Sequence, residues 1–347
     1  MKNPEIFICG GGTGGHFFSG VALAEKFLKF YPDFKVTFVG TKNGIEGRTT
    51  LSDPRMSIHF IKAKGLKGKG LVSKFVGIFY MAIGFLESCC LLLSRRPKII
   101  LGVGGYASAP TVMAAICLRP IGSWSVGILE QNSTPGLANR LFSYFTRAFS
   151  AFQIPRFQLI DLPLRSHTIQ IAEKVKPFSW PPKTIFILGG SQGAKKLNAK
   201  WREALPTLLK EFPNLEVIHQ TGRDEDAVFK EFYRNLNVKA EVFAFSNEMQ
   251  KFYEQADLLI CRSGAMTVFE VIAFRRPAVF VPFPFATDDH QRKNALSVQK
   301  EDWVIGENDL NAARLLQILK SKVASVPMAK SEPRETWQAI FSQLLRL

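Results

Sequence analysis

The chain has 347 residues, 46% of them hydrophobic and 21% charged, which suits two globular domains of ordinary size and excludes a disordered or fibrous chain. Lys and Arg number 45 against 29 Asp and Glu, a formal net charge of +16, so the expected partners are anionic: phosphorylated substrates, an anionic membrane face or nucleic acid. Cys9, Cys89, Cys90, Cys117 and Cys261 form no Cys/His set with metal-ligand spacing and read as small buried hydrophobes in a reducing compartment.

The opening MKNPEIFICGGG lacks the apolar stretch of a signal peptide and runs straight into a strand, so a cytoplasmic location is expected. Strands are predicted at Glu5–Cys9, Lys35–Val39, Ser57–Ile61, Ile99–Val103 and Val126–Glu130. Helical patterns at Phe18–Lys29, Leu71–Ser94, Ala109–Leu118 and Leu137–Thr146 separate most of them. The second half offers strands at Thr184–Leu188, Glu216–Gln220, Ala240–Phe243, Leu258–Cys261 and Ala278–Val281. Such alternation predicts α/β architecture, with parallel sheets covered on both faces. The Pro-rich stretch Phe152–Lys183 is the expected linker, giving domains at 1–165 and 166–332. EIFICGGGTGGHFFSG and TIFILGGSQGAKKLN each read as a strand, a glycine loop and a helix start, so a second mononucleotide-binding unit opens halfway along. A final helix, about 333–347, is expected to pack back on the first domain.

Phe75–Leu93 is nineteen residues with one charge, Glu87, about long enough to span a bilayer. Glu87, Gly77 and Gly84, and its place between two strands of one domain, argue instead for a helix that packs in the domain and dips into a membrane surface. Lys62, Lys64, Lys67, Lys69 and Lys74 precede it and Arg95, Arg96 and Lys98 follow, which suits anionic headgroups.

Gly10-x-Gly12-x-x-Gly15 matches the dinucleotide fingerprint, but the second strand ends Phe38-Val39-Gly40-Thr41 with no carboxylate for a ribose. NAD is therefore not expected, and no GxxxxGK[ST] phosphate loop is present. What remains is a loop that lets backbone approach a ligand, with Thr13 and His16 at the helix start. Gly189–Gly193 offers free N–H groups and the Ser191 hydroxyl at another helix start, where phosphate is well received. Cys261–Glu270 reads as a strand end, a Ser-Gly turn and a helix carrying Glu270, close enough to accept two ribose hydroxyls.

Seven stretches occur together and in order: GGTGGH (11–16), GLKGKG (65–70), GVGGYASAP (102–110), EQNSTPGLANR (130–140), LGGSQGAKKLN (188–198), RSGAMTVFE (262–270) and DHQRKNA (289–295). In this combination the chain resembles the MurG family, glycosyltransferases that add N-acetylglucosamine to undecaprenyl-pyrophosphoryl-MurNAc-pentapeptide (lipid I) to give lipid II. The resemblance implies a GT-B fold, two Rossmann-like domains with parallel sheets facing a cleft, and inverting transfer from UDP-GlcNAc to the MurNAc C4 hydroxyl. It implies His16 and Glu130 as catalytic groups, with Tyr106 and Gln131 toward the acceptor. Donor contacts would come from Thr13, Gly14, Gly15, Asn132 and Arg165 on one side. On the other they would come from Ser191, Gln192, Ser246, Ala265, Met266, Thr267, Val268, Phe269, Glu270 and Gln291. The family has Asn where Leu162 stands and Pro where Ser19 stands, which puts the backbone beside Arg165 in doubt.

No Asp pair stands at a strand end in DxD form, so no obligatory metal and no cofactor is expected; Asp288-Asp289 is the nearest substitute. The implied location is peripheral, on the cytoplasmic face of the inner membrane through residues 62–98, with room for partners in a cell-wall or division complex. A related transferase acting on another lipid, such as diacylglycerol, is the competing enzyme reading. Nucleic acid is not an expected partner, because the basic residues cluster around an apolar helix rather than interleaving with aromatics on one face.

Overall fold

A computed structural model describes residues 3–64, 71–190, 193–322, 324–328 and 336–346, with backbone alone at 71–74. It divides into two compact units, Met1–Ser166 with Glu332–Leu347, and His167–Ser331.

The first unit contains β1 (Glu5–Cys9), α1 (Gly14–Phe30), β2 (Lys35–Gly40), β3 (Met56–Phe60), α2 (Leu71–Arg95) and β4 (Ile99–Gly102). It continues through α3 (Ala109–Cys117), β5 (Ser125–Glu130), α4 (Leu137–Phe142), β6 (Arg147–Ser150) and β7 (Gln158–Leu159). Its seven strands are parallel, in the order β3-β2-β1-β4-β5-β6-β7. Side chains of a strand alternate between the two faces of its sheet. Ile6 and Ile8 accordingly join Phe17 and Phe27 of α1 on one face, while Phe7 and Cys9 join Leu92 of α2 and Val112 of α3 on the other. Burial on both faces is why β1 and β4 read as unbroken apolar runs.

The second unit begins near α5 (Ser166–Ala172) and runs β8 (Thr184–Leu188), α6 (Lys195–Glu211), β9 (Glu216–Gln220), α7 (Asp226–Asn235), β10 (Ala240–Phe243) and α8 (Met249–Gln255). Then come β11 (Leu258–Cys261), α9 (Ala265–Ala273), β12 (Ala278–Phe280), α10 (His290–Leu296) and α11 (Ala312–Leu319). Its five parallel strands lie in the order β10-β9-β8-β11-β12. In each sheet the order reverses beside the first strand of its unit, between β1 and β4 and between β8 and β11. Ligands of open α/β sheets bind outside the carboxyl ends of the strands at such a switch point. The glycine loops occupy those ends.

The last helix, α12 (Trp337–Leu345), belongs to the first unit. Trp337, Ile340, Phe341 and Leu344 are buried there, and the Phe341 ring meets Phe27 edge-on at 4.9 Å. Trp337 Nε1 donates to Asp161 O at 2.9 Å, and Ser125 Oγ donates to Leu344 O.

Two short strands were not expected. The helix predicted to Thr146 stops at Phe142, and Arg147–Ser150 pairs with β5 as β6. The stretch Phe152–Lys183, linker-like by its prolines, holds β7 and α5 and buries Ile154, Ile160, Leu162 and Leu164.

On α2, Ser88, Leu91 and Leu92 are buried, whereas Phe75, Ile78, Phe79 and Leu86 are 56–72% exposed. Phe75–Arg95 is long and apolar enough to cross a membrane by length and composition, with 28% of its apolar window buried. Glu87 on this helix accepts from Lys62 N at 2.7 Å through Oε2.

Candidate active site

The carboxyl end of β1 carries Gly10–Gly15, and the carboxyl end of β4 carries Gly104 and Gly105. These turns approach too closely for side chains. Gly12 sits at φ +83°, where a Cβ would lie 2.8 Å from the Tyr106 ring, and a Cβ on Gly105 would lie 2.4 Å from Gly11 O. The loop is pinned from below by Glu46, 1% exposed, which accepts from Gly12 N and Thr41 N at 2.9 Å and from Thr41 Oγ1 at 3.1 Å. A Cβ on Gly11 would meet that carboxylate at 2.5 Å. The first turn of α1 begins at Thr13 with no capping side chain, and a Cβ on Gly15 would meet nothing within 4 Å.

His16 stands in that first turn, half-buried. Its Nδ1 lies 3.0 Å from Gln131 Oε1, and Gln131 Nε2 donates to Val103 O at 2.6 Å. The structure thus joins His16, Gln131, Tyr106 and the glycine loop at the ends of β1, β4 and β5. Gln131 is 2% exposed, and both ends of its side-chain amide meet protein atoms.

Glu130, expected to be catalytic, is 3% exposed and fully engaged. Oε1 accepts from Asn132 N and Nδ2 at 3.0 and 3.2 Å; Oε2 accepts from Gly136 N at 3.1 Å and Asn139 Nδ2 at 2.9 Å. With four donors on two oxygens, this carboxylate braces the loop after β5. Asn132 is held by the same carboxylate, and the Arg165 guanidinium lies 5.7 Å over the Phe18 ring of α1.

In the second unit Ser191 and Gln192 lie outside the described residues. The flanking Gly190, at φ +86°, has nothing within 4 Å of a Cβ position. After β11, Gly264 starts α9 with no capping side chain, so the first-turn amides of Ala265, Met266 and Thr267 have no intrahelical acceptor. Such a terminus carries partial positive charge and receives anions. Val268 and Phe269 follow on the same helix. Val268 gives its N–H to Gly264 O at 3.0 Å, and both side chains are buried in the core.

Glu270, one further turn on, is half-buried, and its Oε2 accepts from the Tyr253 hydroxyl at 2.8 Å. Burial, reinforced by the neighbouring carboxylate, pushes the Tyr253 phenol pKa well above its ordinary value, so the hydroxyl remains a donor. Gln291 on α10 accepts from Phe283 N at 2.9 Å through Oε1, and Ser246 Oγ accepts from Glu248 N at 3.1 Å. Ser246, Ala265–Thr267 and Glu270 all follow the carboxyl ends of strands in this sheet.

Sequence reasoning missed Glu46, Tyr253 and Arg262. Arg262, 8% exposed in its side chain, gives Nη1 to Val281 O and Pro282 O at 3.0 and 3.1 Å and pairs through Nη2 with buried Glu307. It ties the end of β11 to the strand beside it. Nothing local marks these three residues, because their partners lie 17 to 45 positions away except for Thr41. Among the described residues no three His, Cys, Asp or Glu side chains cluster to hold a metal ion.

The glycosyltransferase family 28 N-terminal domain matches residues 6–150, and the family 28 C-terminal domain matches 184–343. A protein of Geobacter sp. (strain M21), named UDP-N-acetylglucosamine–N-acetylmuramyl-(pentapeptide) pyrophosphoryl-undecaprenol N-acetylglucosamine transferase, is 39% identical over 94% of this chain and 91% of its own. A protein of the same name from Citrifermentans bemidjiense is 40% identical over 90% and 88%. The crystal structure of Acinetobacter baumannii MurG superposes with a TM-score of 0.73 at 26% identity, covering 99% of this chain and all of that one.

Proposed function

The chain belongs to glycosyltransferase family 28, and we propose that it catalyses the reaction for which its relatives are named. N-acetylglucosamine moves from UDP-GlcNAc to the C4 hydroxyl of the MurNAc residue of undecaprenyl-pyrophosphoryl-MurNAc-pentapeptide, turning lipid I into lipid II. The observation that carries this reading is identity of 39% along nearly the whole chain with a transferase of that name. The glycine loops and helix starts at two sheet switch points supply the chemistry it needs.

The second unit holds the donor. Glu270, oriented by Tyr253, accepts the ribose hydroxyls, while the first-turn amides of Ala265, Met266 and Thr267 bind the diphosphate. Ser191, Gln192, Ser246 and Gln291 complete the contacts to nucleotide and sugar. The first unit contributes Thr13, Gly14, Gly15, Asn132 and Arg165 toward the diphosphate, and Tyr106 toward the acceptor. In the transfer, His16 takes the proton of the C4 hydroxyl as its oxygen bonds to the anomeric carbon. The bond from that carbon to the diphosphate oxygen breaks, its electron pair leaves with UDP, and the configuration inverts. Amides aimed at the departing diphosphate stabilise the charge that develops there.

The enzyme works from the cytoplasmic face of the inner membrane, held peripherally. What supports this is the exposed apolar face of α2 between Lys62, Lys64 and Lys98, together with the basic residues Lys67, Lys69 and Lys74 of the sequence.

The test is label transfer from UDP-[14C]GlcNAc into lipid by the purified chain. Label entering polyprenyl-pyrophosphoryl-MurNAc-pentapeptide, with none from UDP-glucose and none onto diacylglycerol, is the expected result. Label entering diacylglycerol alone overturns it.

A further inference from the structure

We infer that Gln131 is a positioning residue that sets the tautomer of His16, so that Nε2 is the atom that takes the acceptor proton. The inference rests on the transferase reading above and deepens it. The argument begins at Val103, whose carbonyl can only accept. Gln131 Nε2 lies 2.6 Å from that oxygen, which fixes the orientation of the amide and turns Oε1 toward the imidazole. Oε1, itself only an acceptor, lies 3.0 Å from His16 Nδ1. The proton of the neutral ring must therefore sit on Nδ1, leaving the lone pair on Nε2. Among the described residues Nε2 has no hydrogen-bond partner.

Local construction favours the pair. A Cβ on Gly104, at φ +87°, would stand 2.9 Å from His16 Nδ1 and 3.3 Å from Gln131 Oε1, wedged against the bond. Glycine keeps that space clear. Gln131 is 2% exposed, so water does not compete for Oε1.

The partner is an amide and not a carboxylate, so it orients the ring without adding a counter-charge to stabilise the imidazolium. The ionisable groups on the packed elements are Tyr106 on the loop after β4, Glu130 on β5, Glu46 beneath Gly12 and Arg165 over Phe18. Glu46 and Glu130 each spend their oxygens on neighbouring amides and hydroxyls, and none of the four pairs with His16 among the described residues.

The experiment is two-bond 1H–15N correlation NMR on the 15N-histidine-labelled chain, with His16 assigned by loss of its signals in His16→Gln. The expected pattern is a proton on Nδ1. A proton on Nε2 in the native chain overturns the inference without recourse to any variant that must fold. Gln131→Leu, confirmed folded by its melting curve, is expected to lose the Nδ1–H pattern. It should lower kcat by about 10²-fold or more with KM for UDP-GlcNAc unchanged. Retention of wild-type kcat by that variant also overturns it. Gln131→Glu restores an acceptor at Nδ1 and adds a charge that favours the imidazolium. The acid limb of its kcat profile is therefore expected at higher pH than in the native enzyme, and an unmoved limb counts against the inference. Failure of the underlying reading looks different: His16→Ala would then keep native turnover whatever tautomer the ring adopts.

Discussion

The Tyr253 hydroxyl donates to Oε2 of Glu270 at 2.8 Å, from a ring 1% exposed on α8 to a carboxylate on α9. The bond engages Oε2 and orients the carboxylate from a partner that burial keeps protonated. Charge-assisted bonds to ribose hydroxyls contribute about 1.5–3 kcal/mol each. Glu270→Ala is therefore expected to weaken UDP binding at least tenfold, and Tyr253→Phe to weaken it by less. Calorimetry on the two single variants and the double variant checks this. If the Tyr253→Phe effect persists unchanged in the Glu270→Ala background, the phenol does not act through the carboxylate.

Glu46 should matter to the first glycine loop as a fastener. Glu46→Ala leaves Gly12 N, Thr41 N and Thr41 Oγ1 without their acceptor, at about 1–3 kcal/mol for each buried donor left unpaired. Melting temperature and turnover are both expected to fall, whereas Glu46→Gln keeps one acceptor oxygen and should lose less. An unchanged melting curve for Glu46→Ala would show that the loop holds itself.

His219 predicts an acid limit to stability. It is fully buried between Tyr233, whose hydroxyl donates to Nδ1 at 2.8 Å, and Asn198, whose Oδ1 accepts from Nε2 at 3.1 Å. Burial pushes its pKa down to about 3 from an ordinary 6.5. The unfolded chain therefore takes up a proton that the folded one refuses. The stability is complete above pH 6.5 and is lost as pH falls toward 3, at about 1.4 kcal/mol per pH unit. Denaturant unfolding between pH 7 and 4 should show this slope, and His219→Gln should make it shallower. Equal slopes in the two proteins would remove His219 as the cause.

Membrane attachment should be salt-sensitive. Each Lys near an anionic surface contributes about 1 kcal/mol, so Lys67→Glu, Lys69→Glu and Lys74→Glu together are expected to lower binding to phosphatidylserine vesicles on the order of 10²-fold. Replacing exposed Phe75 and Phe79 with Ser should lower it further. Carbonate-resistant retention, released only by detergent, would mean that α2 spans the bilayer.

Five of the ten expected strands, among them β1, β8 and β11, appear with the predicted bounds, because strands buried on both faces announce themselves as apolar runs between glycine turns. The four-residue strand β6 did not, since Arg-Ala-Phe-Ser carries no period of its own and earns its pairing from β5. The site divided in the same way. His16, Glu270 and the loops were legible because glycine spacing and helix starts are local patterns. For Glu130 and Gln131 the sequence names the residue but not its partners: Asn139 reaches Glu130 only once α4 has folded. Tyr253 was invisible, being one more aromatic in a short helix until its hydroxyl finds Glu270 seventeen residues on.

The return of α12 to the first unit bears on the order of assembly during synthesis. Residues 167–331 of the second unit emerge from the ribosome as one continuous piece and can complete their core at once. The first unit cannot. Phe27 and Phe149 have been made long before Phe341 and Trp337 arrive to cover them. A nascent chain therefore carries an unsealed apolar flank on its first unit until α12 docks. Damage to that helix is an injury to the half of the protein that was translated first.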